Sequence, residues 1–382
     1  MIKKEALVIG LGLSGCVAAR LLADAGYQVT CFEKESNIGG SLIELTGSNG
    51  IRFQYFGPHI FHTNSENIYA YLKRFGSFYP YSHRVMVNTS DKTVPLPLNE
   101  HSLKTLWGDI RARNLISRIH AVFGDVKRVP VDKLIDSKDP ELIDLGRYII
   151  ENILISNINL KDGSAFQALD DSYKNDAFVD TSDNDCYYED KYQAMPVNGF
   201  IPILDNMLSH PDISVFMNMD ALNRVSVLEE SGTILLDGAP FKGPVVFTPS
   251  IDALFGSRYG ALEYRYSNYS VETLDIEFKN ENAVIITPKD KDVIRTYESK
   301  YMTLQDESGT TIVKESPYFI MSSGAMEPFE PVHSEENLAR YEKYAKLATQ
   351  FRQLHLLGHL ACFKNMSIED CVEQAMAFLA AL

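Results

Sequence analysis

Gly10, Gly12 and Gly15 stand in the pattern G-x-G-x-x-G, and Glu33 follows close to twenty residues later. Each glycine has its own task. The first permits a tight turn, the second lets backbone approach a pyrophosphate, and the third lets a helix pack closely on a strand. A helix starting there, with Ser14 in its loop, offers unpaired N–H groups and partial positive charge to an anion. Glu33 is placed to accept a hydrogen bond from a ribose hydroxyl. These residues describe a dinucleotide site; a glycine turn without a ligand is the alternative. His59 and His62 recur at i, i+3. With no acid or cysteine ligand near them they do not describe a metal site. They read as a packed, hydrogen-bonded pair or as a histidine beside a bound cofactor.

The elements that must position these residues follow from the pattern. The apolar run Ala6 to Ile9 reads as a buried parallel strand. A helix from Cys16 to Ala25 is stopped by Gly26, and a strand from Gln28 to Phe32 ends at Glu33. Glu33-Lys34 then leads to Gly39-Gly40-Ser41, which resembles the E-(K/R)-x5-GG extension of FAD-binding oxidoreductase-like folds rather than NAD dehydrogenases. The resemblance implies that the paired glycines pass against the FAD pyrophosphate and ribitol.

Composition narrows the class. A chain of 382 residues has room for two or three domains. Its 45% hydrophobic and 23% charged residues are ordinary for a globular protein. No apolar run approaches the roughly 18 residues a membrane span needs, and the first residues do not read as a signal peptide. The five cysteines are scattered without C-x-x-C, as reduced thiols of a cytoplasmic protein would be. A net charge of −15 argues against nucleic acid or an anionic membrane as a partner.

Further along, Arg52 to Phe56 alternates as a strand broken by Gly57-Pro58, and Tyr79 to Leu98 reads as a hairpin. Leu103 to about Phe178 has helical periodicity. Asp170 to Asp190 reads as a solvated loop. Alternation at Val225–Leu228, Thr233–Leu236 and Val271–Phe278 predicts an antiparallel sheet. A last helix, Ile368 to Leu382, starts after Ser367 as N-cap.

Phe56-Gly57-Pro58-His59-Ile60-Phe61-His62-Thr63 resembles the (Y/F)-G-(A/P)-H-I-F-H-T motif of UDP-galactopyranose mutases. Tyr187 to Pro196 resembles NYFxDRYQGIP, Tyr259 to Arg265 resembles F-G-x-L-x-Y-R, and Val293 to Tyr301 resembles PYTRIxEHKxF. Glu327 to Val332 resembles EPYYPV, and Gly358 to Ala361 resembles G-R-L-(G/A). The order is kept over essentially the whole chain. The resemblance implies an α/β fold: an FAD-binding Rossmann-like domain, an inserted small helical domain and an antiparallel β-sheet substrate domain. The expected boundaries are 1–80 with 195–245 and 340–382 for FAD, 100–178 for the helices, and 80–99 with 179–194 and 246–339 for the sheet.

What the family does becomes the expectation for this chain. Such enzymes interconvert pyranose and furanose forms of a nucleotide-diphosphate sugar, with FAD active when reduced and N5 attacking the anomeric carbon. The resemblance puts Gly10, Gly12, Ser14, Gly15, Glu33, Lys34, Gly39, Gly40, Ser41, His59, Gly358, His359, Ser367 and Ile368 at the cofactor. It puts Tyr192, Arg265, Arg295 and Asn365 at the substrate, with His59, Arg295 and Tyr192 catalytic. Arginine suits a departing pyrophosphate because its planar fork binds phosphate bidentately. Relatives of bacterial type are often dimers, which makes a homodimer a candidate assembly.

Several positions depart from the family. Its loop arginine aligns with Asp180, a phenol with Ser316, the flavin-side arginine with His359, a second tyrosine with Asn365 and an aspartate with Ser367. Two readings follow. One is a mutase for a substrate other than plain UDP-galactose, with Lys364 or the basic residues Arg111, Arg113, Arg118, Lys127 and Arg128 supplying charge. The other is an FAD-binding oxidoreductase or nucleotide-sugar-binding flavoprotein that has lost the chemistry.

Overall fold

A computed structural model describes residues 4–89, 92–154, 177–323 and 330–382. The expected helical stretch and acidic loop therefore lie partly outside the described residues, as do Glu327 to Phe329.

β1 (Glu5–Ile9), α1 (Leu13–Asp24) and β2 (Gln28–Phe32) form the opening unit. β1 is flanked by β2 and Val245–Phe247, with Ile213–Phe216 and Leu354–Leu356 at the edges; every pairing is parallel. Its unbroken apolar run follows from burial on both faces. Ala6 and Val8 join the core that contains α1 and the last helix, Ile368–Ala381. Leu7 and Ile9 join a second core with Phe247, Tyr264 and Tyr344. α1 begins at Leu13, three residues before the expected Cys16, because Gly12 already serves as N-cap.

A six-stranded sheet runs in the order Tyr269–Leu274, Thr310–Glu315, Arg295–Glu298, Val284–Ile286, Val85–Asn88, Thr93–Leu96. It is antiparallel apart from the parallel pairing of Val284–Ile286 with Val85–Asn88. Val225–Leu228 and Thr233–Leu236 do not join it. They form a separate sheet with Ala239–Pro240, because alternation reports a half-buried face and says nothing about the partner. The strand expected over Val271–Phe278 is Tyr269–Leu274.

The helices Glu100–Trp107, Asp109–Phe123, Val131–Ile135 and Pro140–Ile149 pack together. Within the stretch read as loop, Phe178–Asp180 is instead a strand paired with Arg128–Pro130. Tyr192–Pro196 lies between Phe61–Thr63 and Phe78–Pro80. Among the described residues no helix is long and apolar enough to cross a membrane.

Candidate functional site

At the C-terminal end of β1 the glycine loop takes the shape its sequence asks for. Gly10 has φ +87, and a Cβ on Gly15 would lie 1.9 Å from the Gly10 carbonyl oxygen. That contact is why the third glycine is needed. Gly12 bridges to Gly39, and the Gly39 N–H donates to Leu11 O at 2.8 Å. A Cβ on Gly40 would meet Gly12 Cα at 3.3 Å. α1 has no side-chain cap and no acidic residue in its first turn. Its leading N–H groups therefore face a groove walled by glycines, which fits a pyrophosphate. Glu33 is buried, and its carboxylate accepts from Leu11 N–H at 2.6 Å and Glu35 N–H at 3.0 Å. Lys34 is exposed and pairs with Glu35, while Ser41 lies in the short turn Gly40–Leu42.

The chain's end closes on this groove. A Cβ on Gly358 would come within 3.0 Å of Ser14 Oγ. His359 follows on the short helix Gly358–Ala361. Ser367 caps the last helix in a capping box with Asp370, so its hydroxyl is spent there, and Ile368 is buried behind it. What this segment presents is the helix end rather than a free serine.

From His359 the site continues to His59. Burial draws both imidazoles down to about 4, and His359 and Arg295 add to the effect on His59. His59 Nδ1 lies 3.0 Å from Gly57 O. Gly57 has φ +100, and a Cβ there would lie 3.1 Å from Arg295 Nη2. The glycine makes room for the guanidinium. Arg295 Nε donates to Glu315 Oε2 at 2.6 Å. Glu315 is fully buried and also accepts from Tyr269 OH at 3.2 Å. Burial works against the charge on Arg295, and Glu315, Tyr318 and Tyr269 more than offset it, holding its pKa well above the ordinary value.

A second ion pair stands across Tyr318. Arg265 Nη1 lies 3.3 Å from Glu330 Oε2, and Asn365 Nδ2 donates to the other oxygen at 3.3 Å. Tyr318 has its pKa raised chiefly by burial, then by Glu315 and Glu330, with Arg295 and Arg265 opposing. Tyr318, two residues after Ser316, thus sets a buried phenol beside both pairs. Ser316 itself is turned to Asn268, whose N–H its hydroxyl accepts at 3.0 Å.

Other expectations are corrected. Asp180 is no loop residue facing a ligand: it is fully buried. It accepts from Arg128 Nε at 3.1 Å and from Ser182 N–H at 2.8 Å. Four of the basic residues offered as substitutes are engaged too. Lys127 and Arg128 pair with Glu189, Arg111 with Glu141, and Arg118 with Asp139. Tyr192, for its part, is stacked on Tyr69 at 4.6 Å with the Lys191 ammonium 4.7 Å from its ring. The opposite face of its strand holds Gln193, opposite His62. His62 stacks on Tyr188 at 3.7 Å and bonds Asp190 at 2.9 Å. The reading from sequence missed Gln54, Tyr269, Tyr297, Glu315, Tyr318 and Glu330. Only Glu315 gave a signal, as a charge at the end of the buried strand Thr310–Glu315.

A parallel sheet with a glycine-walled helix N-terminus, continued by a neutral histidine pair and two carboxylate-held arginines, defines a dinucleotide-binding flavoprotein fold. Residues 8–75 match an NAD(P)-binding Rossmann-like domain, and residues 161–365 match the UDP-galactopyranose mutase family. The chain belongs to the UDP-galactopyranose mutase family. It is 27% identical to a UDP-galactopyranose mutase of Mycoplasma pneumoniae, over 98% of this chain and 95% of the relative. It is 28% identical to a dTDP-fucopyranose mutase of Escherichia coli, over 97% and 96%. The solved structure of a reduced UDP-galactopyranose mutase superposes with a TM-score of 0.67 at 11% identity, covering 99% of this chain and 93% of that one.

Proposed function

We propose that this chain is an FAD-dependent isomerase that interconverts pyranose and furanose forms of a nucleotide-diphosphate sugar. The observation that carries the reading is the continuous path from the pyrophosphate groove through Gly358 and the His359–His59 pair to Arg295. FAD, when bound and reduced, supplies a nucleophilic N5 suited to an anomeric carbon. The chain's own residues do the rest. Gly10, Gly12, Gly15, Gly39, Gly40 and the α1 N-terminus hold the cofactor pyrophosphate, and Glu33 lines the ribose end. Arg295 keeps its charge and offers its Nη groups to the substrate diphosphate, while Glu315 fixes its plane. Arg265 and Asn365, joined through Glu330, form the second wall. His59 stays neutral at pH 7, so it adds no positive charge beside Arg295.

Neither the buried Asp180 nor Tyr318 selects the nucleotide or the sugar, so both are chosen by experiment. Protein reduced anaerobically is incubated with UDP-galactopyranose, UDP-N-acetylgalactosamine, dTDP-fucopyranose and GDP-linked heptoses. An isobaric product formed only by reduced protein supports the mutase. Product of altered mass, formed with consumption of oxygen or reductant, supports the oxidoreductase reading instead.

A further inference from the structure

We infer that Gln54 and Tyr297 are positioning residues that lock His59 as the Nδ1–H tautomer, leaving its Nε2 as a hydrogen-bond acceptor. The donors and acceptors allow one assignment. Gly57 O can only accept, so the 3.0 Å contact requires a proton on His59 Nδ1. In a neutral ring Nε2 is then bare. Burial keeps the ring neutral against the opposing effect of the Gly57 carbonyl, and His359 and Arg295 add to the burial.

The loop that creates this contact is held from outside. The His59 N–H donates to Gln54 Oε1, and Gln54 Nε2 donates back to His59 O at 3.2 Å. Gln54 is 6% exposed, so this pair forms away from water. Tyr297 is fully buried; its OH donates to Gln54 O at 2.6 Å and accepts from Gly57 N–H at 3.2 Å. Both backbone groups of Gly57 thus enter one circuit: its N–H donates to Tyr297 OH, and its carbonyl accepts from the imidazole Nδ1–H. Tyr297 lies two residues from Arg295 on the same strand, so the circuit also ties His59 to the arginine. The mutase reading gives the bare Nε2 its use, as an acceptor for a hydroxyl or N–H at the reacting centre. The tautomer does not depend on that reading and is measured without substrate.

The test is 15N NMR of histidine-labelled protein at pH 7, with and without bound flavin, the His59 ring being identified by its loss in His59→Gln. The expected spectrum has a protonated Nδ1 and a bare Nε2. A protonated Nε2, or an imidazolium, overturns the assignment. Gln54→Met and Tyr297→Phe, in protein whose circular dichroism is unchanged, are expected to lose the single-tautomer signal. If the ring is the same in both variants, the positioning role is overturned even if the wild-type tautomer stands. Mutase activity enters none of these outcomes, so a failed sugar-nucleotide assay and a failed tautomer assignment are distinguishable.

Discussion

The pyrophosphate groove and the arginine cluster differ in how they are built. The groove is local: Gly10, Gly12, Gly15, Glu33, Gly39 and Gly40 lie within one stretch, and most of its chemistry is backbone N–H groups made accessible by missing side chains. The cluster is assembled from Gln54, Gly57, His59, Arg265, Arg295, Glu315, Tyr318, Glu330, His359 and Asn365, and its chemistry is held by buried carboxylates. A backbone site tolerates almost no added atoms. A side-chain site tolerates rearrangement, because each of its groups is held by partners that can shift with it.

The largest effects should come where a buried carboxylate loses its role. Asp180→Arg places a cation where Arg128 and Ser182 now donate, and Glu315→Leu strips Arg295 of its partner. Each is expected to cost about 4 kcal/mol in urea unfolding. An Asp180→Arg protein of wild-type stability that gains affinity for UDP-galactose would restore the substrate-facing reading of that position. Next comes Gly15→Ala, whose Cβ would strike the Gly10 carbonyl at 1.9 Å. Loss of roughly 2 kcal/mol and of flavin absorbance is expected. Full flavin content would break the claim that the groove cannot yield.

Arg295→Lys should act on the other region alone. A charge-assisted hydrogen bond is worth ~1.5–3 kcal/mol, so KM for the sugar nucleotide should rise about tenfold or more with flavin content unchanged. Lost flavin would join the two regions that the comparison separates.

A further effect is on pH dependence. His59 and His359 titrate at about 4 and His83 at about 3 when folded, all below 6.5. As pH falls through that window the unfolded chain takes up protons that the folded chain refuses, so stability falls; above it their contribution is complete. Chemical denaturation from pH 7 to pH 4 should show this slope, and His83→Asn should flatten it. An unchanged slope would contradict the depressed His83 value.

The same contrast explains what could be read from sequence. The β1–α1–β2 unit was legible because apolar runs, glycine spacing and Glu33 are all local signals. His59, Arg265 and Arg295 were legible only through family motifs, and motif alignment carried Asp180 to a place the fold does not give it. Tyr318 and Glu330 were hidden because what makes them functional is proximity across the chain, which no spacing encodes. Val225–Leu228 shows the limit for the fold: its alternation was right and its sheet was wrong.

The most direct test counts product against reductant. Protein holding one equivalent of reduced flavin is given excess sugar nucleotide without oxygen, and isobaric product is counted per flavin. The account predicts many turnovers from a single reduction, with the flavin still reduced at the end. Product equal to the flavin reduced, with oxidised flavin left behind, would contradict it.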